Sequence, residues 1–284
     1  MGRLMRANLH RLKKNRIFWS FAGILICWNF IQTVLEVRTQ AGHDAALRFL
    51  PQAGALFWFL IPLHLLLALF CGLFVGEEYR DGTIRNKIIL GSSRRTIYLA
   101  NFYTNALVGA LLFLAGAGSG ILFRVLFSLE IPGEQILLPG IAGMVSCCAA
   151  ASVYTLPAML LSKRPVGTAA SVLIAAGMLM AGFSLQERLA QPMEQKTYVT
   201  ENGTVSWETE ENPEYVGGDV RAVCEMTCDL LPGGQTAQIL YGTLFGSGWN
   251  RGIRLAVLLA CSLAVSCLCN SMGIFFFWRK DIFP

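Results

Sequence analysis

The sequence predicts an all-α integral membrane protein with six transmembrane helices, an N-terminal interfacial helix, a short cytoplasmic helix between spans two and three, and a small external cap between spans five and six. Three observations carry that fold class. Of 284 residues, 54% are hydrophobic and 14% charged, with a mean hydropathy of +0.52, whereas soluble domains carry near a quarter charged residues. Six predominantly apolar runs approach or exceed the roughly 20 residues a helix needs to cross the hydrocarbon. Lys and Arg gather in alternate flanks of those runs, as cytoplasmic segments require.

The N-terminal segment "LMRANLHRLKKNRIFW" holds Arg3, Arg6, Arg11, Lys13, Lys14 and Arg16 and no acid. Met5, Leu9 and Leu12 fall on one helical face, which suggests a short helix over residues 1–16 lying in the membrane interface; a disordered basic leader is the alternative. The first span, about 17–35, is followed by "EVRTQAGHD" with no small-x-small cleavage site, so it reads as an uncleaved helix rather than a secretory signal. Segment 36–53 is balanced in charge and lies outside. The second span, about 54–75, contains His64, the one ionisable residue deep in a span. An intramembrane ionisable group is a functional candidate, although a neutral imidazole bonded to a neighbouring helix is the simpler account.

Spans three and four, about 98–127 and 136–162, exceed the minimum length. Pro139, Pro157 and the series Gly116, Gly118 and Gly120 mark places for breaks or for close helix packing. Lys163 and Arg164 place the link to span five, about 167–184, inside. Segment 128–135, with Glu130 and Glu134, lies outside, as does the acid-rich segment 185–250. Span six, about 252–278, ends at Arg279 and Lys280 on the inside. Both termini are therefore expected to be cytoplasmic. Arg124 and Arg254 sit near outer span ends, where long side chains snorkel to water. Gln32, Asn101, Asn105 and Asn270 suit interhelical hydrogen bonding.

Within the outer segment, "TYVTENGTVSWETE" alternates around Asn202-Gly203, a hairpin signal. Residues 219–231 turn helical, and "LPGGQTAQILYGTLF" reads as a turn and a second short helix near the membrane surface, too short to span and suited to an interfacial or re-entrant position. Seven of the nine cysteines fall inside spans, where a thiol acts as a small apolar group. Cys224 and Cys228 lie outside, on adjacent turns of a helix; a disulfide there is just tolerated by the spacing and would persist in that compartment. Bridged and free forms both remain open, and no His is near enough for a zinc site.

Several chemistries are excluded by what the chain lacks. It has no "GxxxxGK[ST]" phosphate loop, no "HExxH" and no "GxSxG", and its three histidines are His10, His43 and His64. A membrane enzyme would need carboxylates or histidines gathered at one depth, and the span interiors offer His64 alone. The net charge of +5 sits beside spans, where topology and anionic lipid account for it without nucleic acid.

The most informative stretch is "GEEYRDGTIRNKIILGSSRRT", Gly76 to Thr96. After Val75 the charged cluster ends the apolar run, Asp81-Gly82 turns, Thr83 serves as N-cap for the helix "IRNKIIL", and Gly91 ends it. Ser92 or Ser93 then caps the helix leading into span three. Ile84 and Ile88 share a face one turn apart while Arg85 and Lys87 point elsewhere. A short stiff helix with an apolar ridge, held close to the membrane by two spans, is a docking plug.

"GEEYRDGTIRNKIILGSSRRTIYLANF" and, before the last span, "DLLPGGQTAQ" resemble the permease subunit of bacterial ABC transporters of the type-2 exporter family. The resemblance covers the whole chain in layout, a single permease domain over 1–284 with an interfacial helix (1–16), a coupling loop (76–97) and an extracellular segment (185–250). It implies that Glu77, Glu78, Tyr79, Arg80, Asp81, Gly82, Thr83, Ile84, Arg85, Asn86 and Lys87, with Ile88 on the ridge, form a coupling helix seated on a separately encoded ATPase. It further implies two ATPase copies that bind the ATP and Mg, no cofactor in this chain, a second permease chain, identical or related, and a place in the bacterial cytoplasmic membrane. A sensory or immunity component that binds an external peptide without transporting it shares the same layout.

Overall fold

The computed structural model describes residues 1–40, 56–129, 136–201, 204–242 and 251–281, and every structural statement refers to these. The element order is α1 (Gly2–Lys13), α2 (Arg16–Gln40), α3 (Leu60–Arg80), α4 (Thr83–Ile89), α5 (Arg94–Leu126), α6 (Leu137–Leu160), α7 (Arg164–Leu189), β1 (Glu194–Glu201), β2 (Thr204–Glu211), α8 (Gly218–Leu230), α9 (Pro232–Tyr241) and α10 (Arg251–Arg279). Six of these helices, α2, α3, α5, α6, α7 and α10, are long and apolar enough to cross a membrane. The protein is an all-α, six-span membrane protein with a single two-stranded sheet among the described residues.

Four spans, α2, α5, α6 and α7, pack around α3, which Leu60, Leu63, Leu67, Phe70 and Phe74 bury in one apolar core with residues of those helices and of α9, while α10 packs against α6 and α5. Contact between α3 and α7 depends on Gly72 and Gly76, four residues apart: a Cβ on Gly76 would stand 2.5 Å from Cγ of Arg164, and one on Gly72 2.8 Å from the Thr168 hydroxyl. Small residues at that spacing let two helix backbones approach. The long spans are not broken. α5 runs through Gly116, whose Cβ position would overlap the Phe59 ring, and α6 runs through Pro157. Gly116 and Gly120 serve close packing instead, against Phe59 and Leu56, while Gly118 faces open space.

α1 forms a helix whose buried face carries Asn8 and Leu12. The Asn8 amide donates to the Thr104 hydroxyl at 3.2 Å and to Asn101 Oδ1 at 3.4 Å, both on α5. Asn15 then caps α2 by accepting from the Phe18 N–H. α1, α4, the α6–α7 link and the end of α10 gather at one end of the bundle, here the near end. The hairpin, α8 and α9 stand at the far end.

There β1 and β2 pair antiparallel in a register that matches Glu201 with Thr204, the two-residue hairpin the alternation predicts; Asn202 and Gly203 themselves lie outside the described residues. α9 does not lie on the outside of the bundle as an interfacial helix would. Pro232 begins the helix rather than a turn, and every residue from Pro232 to Leu240 is buried. Its seat is a backbone-to-backbone approach on α7, where a Cβ on Gly182 would lie 2.5 Å from the Gly233 carbonyl. Glycine is required at such a crossing because any side chain would force the helices apart.

Candidate functional site

The charged cluster does not end the second span. α3 continues as helix through Glu77, Glu78 and Tyr79 to Arg80. A helix can carry acids there because cations from elsewhere in the chain reach them. Glu78 is 2% exposed. Its Oε1 accepts from Arg11 Nη1 of α1 at 3.1 Å and from Lys87 Nζ of α4 at 2.5 Å, and its Oε2 accepts from the Asn101 amide of α5 at 3.0 Å. One carboxylate thus joins four elements. Glu77 accepts from Arg11 Nη2 at 3.0 Å and stands 3.5 Å from Arg164 Nη2 at the start of α7. Arg11 also donates to the Phe74 carbonyl at 2.6 Å and lies 4.0 Å over the Phe74 ring.

Beyond Arg80 the chain reverses at Gly82, whose φ of 65° is the left-handed conformation that glycine adopts without strain. Gly82, rather than Thr83, is the N-cap of α4; Thr83 opens the helix and its hydroxyl donates back to the Glu78 carbonyl at 3.0 Å. Arg80 and Asp81 pair across 2.9 Å at the exposed corner, and that hydrogen bond holds the Asp81 carboxyl below its usual range. Gly91, also left-handed, follows the end of α4, and Ser93 caps α5 by accepting from the Thr96 N–H at 3.2 Å.

The apolar ridge faces inward. Ile84 is 1% exposed, packed with Val75, Ile97, Tyr98, Ala158, Met159 and Phe277, and Ile88 lies partly buried against the same cluster. Ile84 is closed off from another protein and Ile88 is partly covered beside it, so the ridge faces the bundle rather than outward as expected. The residues turned outward are Ile89 and Leu90, 72% and 84% exposed, beside Arg80, Asp81, Arg85 and Asn86. The sequence signal for them was present: in "KIIL" three consecutive apolar residues cannot share one face of a helix.

A second cluster secures the C-terminal end of α10. Arg94 donates to the carbonyls of Trp278 and Lys280, at 2.8 and 2.5 Å, a cation at a helix C-terminus. Lys280 donates to the Tyr79 hydroxyl at 2.8 Å and to the Met159 carbonyl at 3.1 Å, and its Nζ lies 4.3 Å from the centre of the Tyr79 ring. Burial pushes its ammonium down to about 8. Asn101, Arg164 and Lys280 are thus parts of this end that the motif alone did not assign to it.

The other candidates have structural partners. His64 is bonded to the Tyr154 hydroxyl at 2.8 Å and the Thr236 hydroxyl at 2.9 Å. Asn105 donates to Thr155 across α5 and α6 at 2.9 Å, while Asn270 donates to Ser266 on its own helix. Arg124 and Arg254 do not snorkel to water as expected. Arg124 is 7% exposed and grips Glu36 with distances of 2.5 and 2.6 Å; Arg254 grips Asp229 of α8 at 2.6 and 2.7 Å. Each had an acid within reach, so pairing replaced solvation. Cys224 and Cys228 are free thiols. Among the described residues no group of His, Cys, Asp and Glu could hold a metal ion.

In comparison with known proteins, the sequence model of a family described as "ABC-2 family transporter protein" matches residues 4–182. That range takes in α1, the α3–α4 junction and five of the six spans. No curated protein matches the chain.

Proposed function

The chain belongs to the ABC-2 transporter family as a multi-pass permease subunit, and from that premise we propose that α4 is the coupling helix on which a separately encoded ATPase acts. The observation that supports this reading is the α3–α4 junction: a short helix fixed from behind by Ile84 and Glu78 and offering Ile89 and Leu90 outward between charged neighbours. An exposed apolar pair rimmed by charge is the composition of a protein interface.

The rest follows from the family. Two six-span halves, two copies of this chain or this chain with a relative, enclose a path between them. Two ATPases bind ATP and Mg and close on one another, and their movement pushes α4. The near end is cytoplasmic in this reading, with both termini, and the substrate moves outward. Displacement of α4 cannot stay local, because Glu78 ties Lys87 of α4 to Arg11 of α1 and Asn101 of α5. A push on α4 therefore loads three other helices at once.

The test is copurification. Ile89→Asp with Leu90→Asp puts two carboxylates into an apolar cleft, at several kcal/mol unless they are paired. We expect the variant to insert normally and to lose its ATPase; recovery of the ATPase at wild-type level would sink the docking role of this pair.

A second reading has one observation in its favour. At the far end Ser184, Glu187, Arg188, Gln191, Glu214 and Tyr215 line an open polar cleft of about 610 Å³ between α7 and the segment after β2. Such a cleft suits an external peptide that is bound and sensed without being moved. Peptide-stimulated ATP turnover in liposomes with no accumulation of peptide would favour sensing over export.

A further inference from the structure

We propose that the groove between α3 and α7 binds one anionic phospholipid, its acyl chain along the groove and its phosphate on Arg164. The groove has a volume of about 460 Å³ and is lined by Leu69, Leu73, Pro165, Thr168, Ala169 and Val172, with Arg164 at its end. Clefts of roughly 300 to 1,000 Å³ are of ligand size.

The charge distribution chooses the occupant. Along its length the groove is apolar, and its one cation sits at the near end. Lys163 precedes it, and α7 starts there with Pro165 in its first turn, so the helix dipole adds positive potential at the same point. An apolar tail ending in an anion complements that pattern, and a zwitterionic headgroup does so less well. A second copy of the chain complements it poorly. In a two-fold dimer with its axis along the membrane normal, equivalent residues meet at the same depth, which would bring one Arg164 toward another.

Arg164 is available for this use. Its stem is held by Gly76 of α3, which leaves no room for a side chain at that position. Its side chain is 29% exposed and its guanidinium stands 3.5 Å from Glu77, too long for a strong pair. Glu77 keeps Arg11 at 3.0 Å whether or not Arg164 turns away. A phosphate can therefore take Arg164 without stranding a buried carboxylate. Because Glu77 adjoins Glu78, the lipid would be felt at the α3–α4 junction.

Native mass spectrometry of the full chain, with equimolar phosphatidylglycerol and phosphatidylcholine, tests the proposal. The wild type should retain phosphatidylglycerol in preference. Ala169→Phe fills the groove and leaves Arg164 in place; it should lower retention of that lipid roughly tenfold. Arg164→Gln should keep a bound lipid and lose the headgroup preference. Wild-type retention by Ala169→Phe overturns the site, and an unchanged preference in Arg164→Gln overturns the phosphate contact. A chain that runs as a lipid-free dimer, and as a monomer only when Ala169→Phe is present, assigns the groove to a second copy.

Discussion

α4 and α9 are the two short helices that close opposite ends of the bundle, and they are held in different ways. α9 is buried from Pro232 to Leu240 and touches α7 through bare backbone. Its polar residues are used up internally: Gln235 on the Asp229 carbonyl and Ser262, Thr236 on His64, and Gln238 on Asp229. α4 buries Ile84 alone and joins the rest through Lys87 and Glu78. A helix fixed on every side is part of the frame. A helix fixed along one face, with its tip exposed, can receive a force and pass it on.

The largest effect should come from the carboxylate that joins the four near-end elements. Glu78→Lys sets a third cation against Arg11 and Lys87 in a site that is almost closed to water. Breaking a buried pair leaves uncompensated charge and costs about 3–5 kcal/mol, so we expect little folded protein in thermal scans of the detergent-solubilised chain. Glu78→Gln should be milder, since it neutralises without adding repulsion. Equal melting of wild type and Glu78→Lys would mean that α4 is held by packing alone.

The next effect splits the two faces of α4. Ile84→Ala empties part of a packed cluster and should cost about 2–5 kcal/mol. Leu90→Ala, on an exposed side chain, should change stability by less than about 0.5 kcal/mol and weaken ATPase retention instead. If both variants melt alike, the inward and outward faces have been assigned wrongly.

At the far end, Gly182→Leu drives a side chain into the Gly233 backbone, where no rotamer relieves the clash. Overpacking of that kind costs about 1–3 kcal/mol, and the variant should unseat α9 while the ATPase stays bound. Loss of the ATPase with α9 would erase the separation between the two ends.

These expectations differ in how far the residues alone supported them. The spans were legible because hydrocarbon demands a long apolar run whatever the neighbours are, and the hairpin because alternation around a two-residue turn is local. The continuation of α3 through Glu77 and Glu78 was not legible. Whether two acids end a helix depends on Arg11, Lys87 and Arg164, and two of these lie more than sixty residues away in sequence. The inward turn of Ile84 was hidden for a different reason: α4 carries apolar residues on two sides, and the left-handed turn at Gly82 decides which side meets the bundle. α9 reads as an interfacial or re-entrant helix because its apolar run is too short to span, and Gln235, Thr236 and Gln238 within it give no sign of burial by themselves. Their partners come from α3, α8 and α10, so the burial became visible only with the fold.

The smallest expected effect is a pH response confined to the near end. Burial lowers Lys280 to about 8 from an ordinary 10.5, whereas burial raises the Cys228 thiol at the far end to about 11 from 9.0. The groups facing Lys280 are Tyr79 of α3, the Met159 carbonyl of α6 and, through its own carbonyl, Arg94 of α5. Its ammonium is charged below 8, where the folded state bears the desolvation penalty. Between about 8 and 10.5 the unfolded chain holds the extra proton, so stability of the docked tail rises with pH across that window. The half-exposed position keeps the gain small through solvent screening. Melting curves from pH 7.5 to 9.5 should therefore move upward for the wild type relative to Lys280→Met, and labelling of Cys228 by a thiol reagent should stay slow throughout, because its thiolate is scarce below 11. A wild-type curve that falls relative to Lys280→Met over this interval would show that the Tyr79 ring and the Met159 carbonyl outweigh burial and hold the ammonium charged.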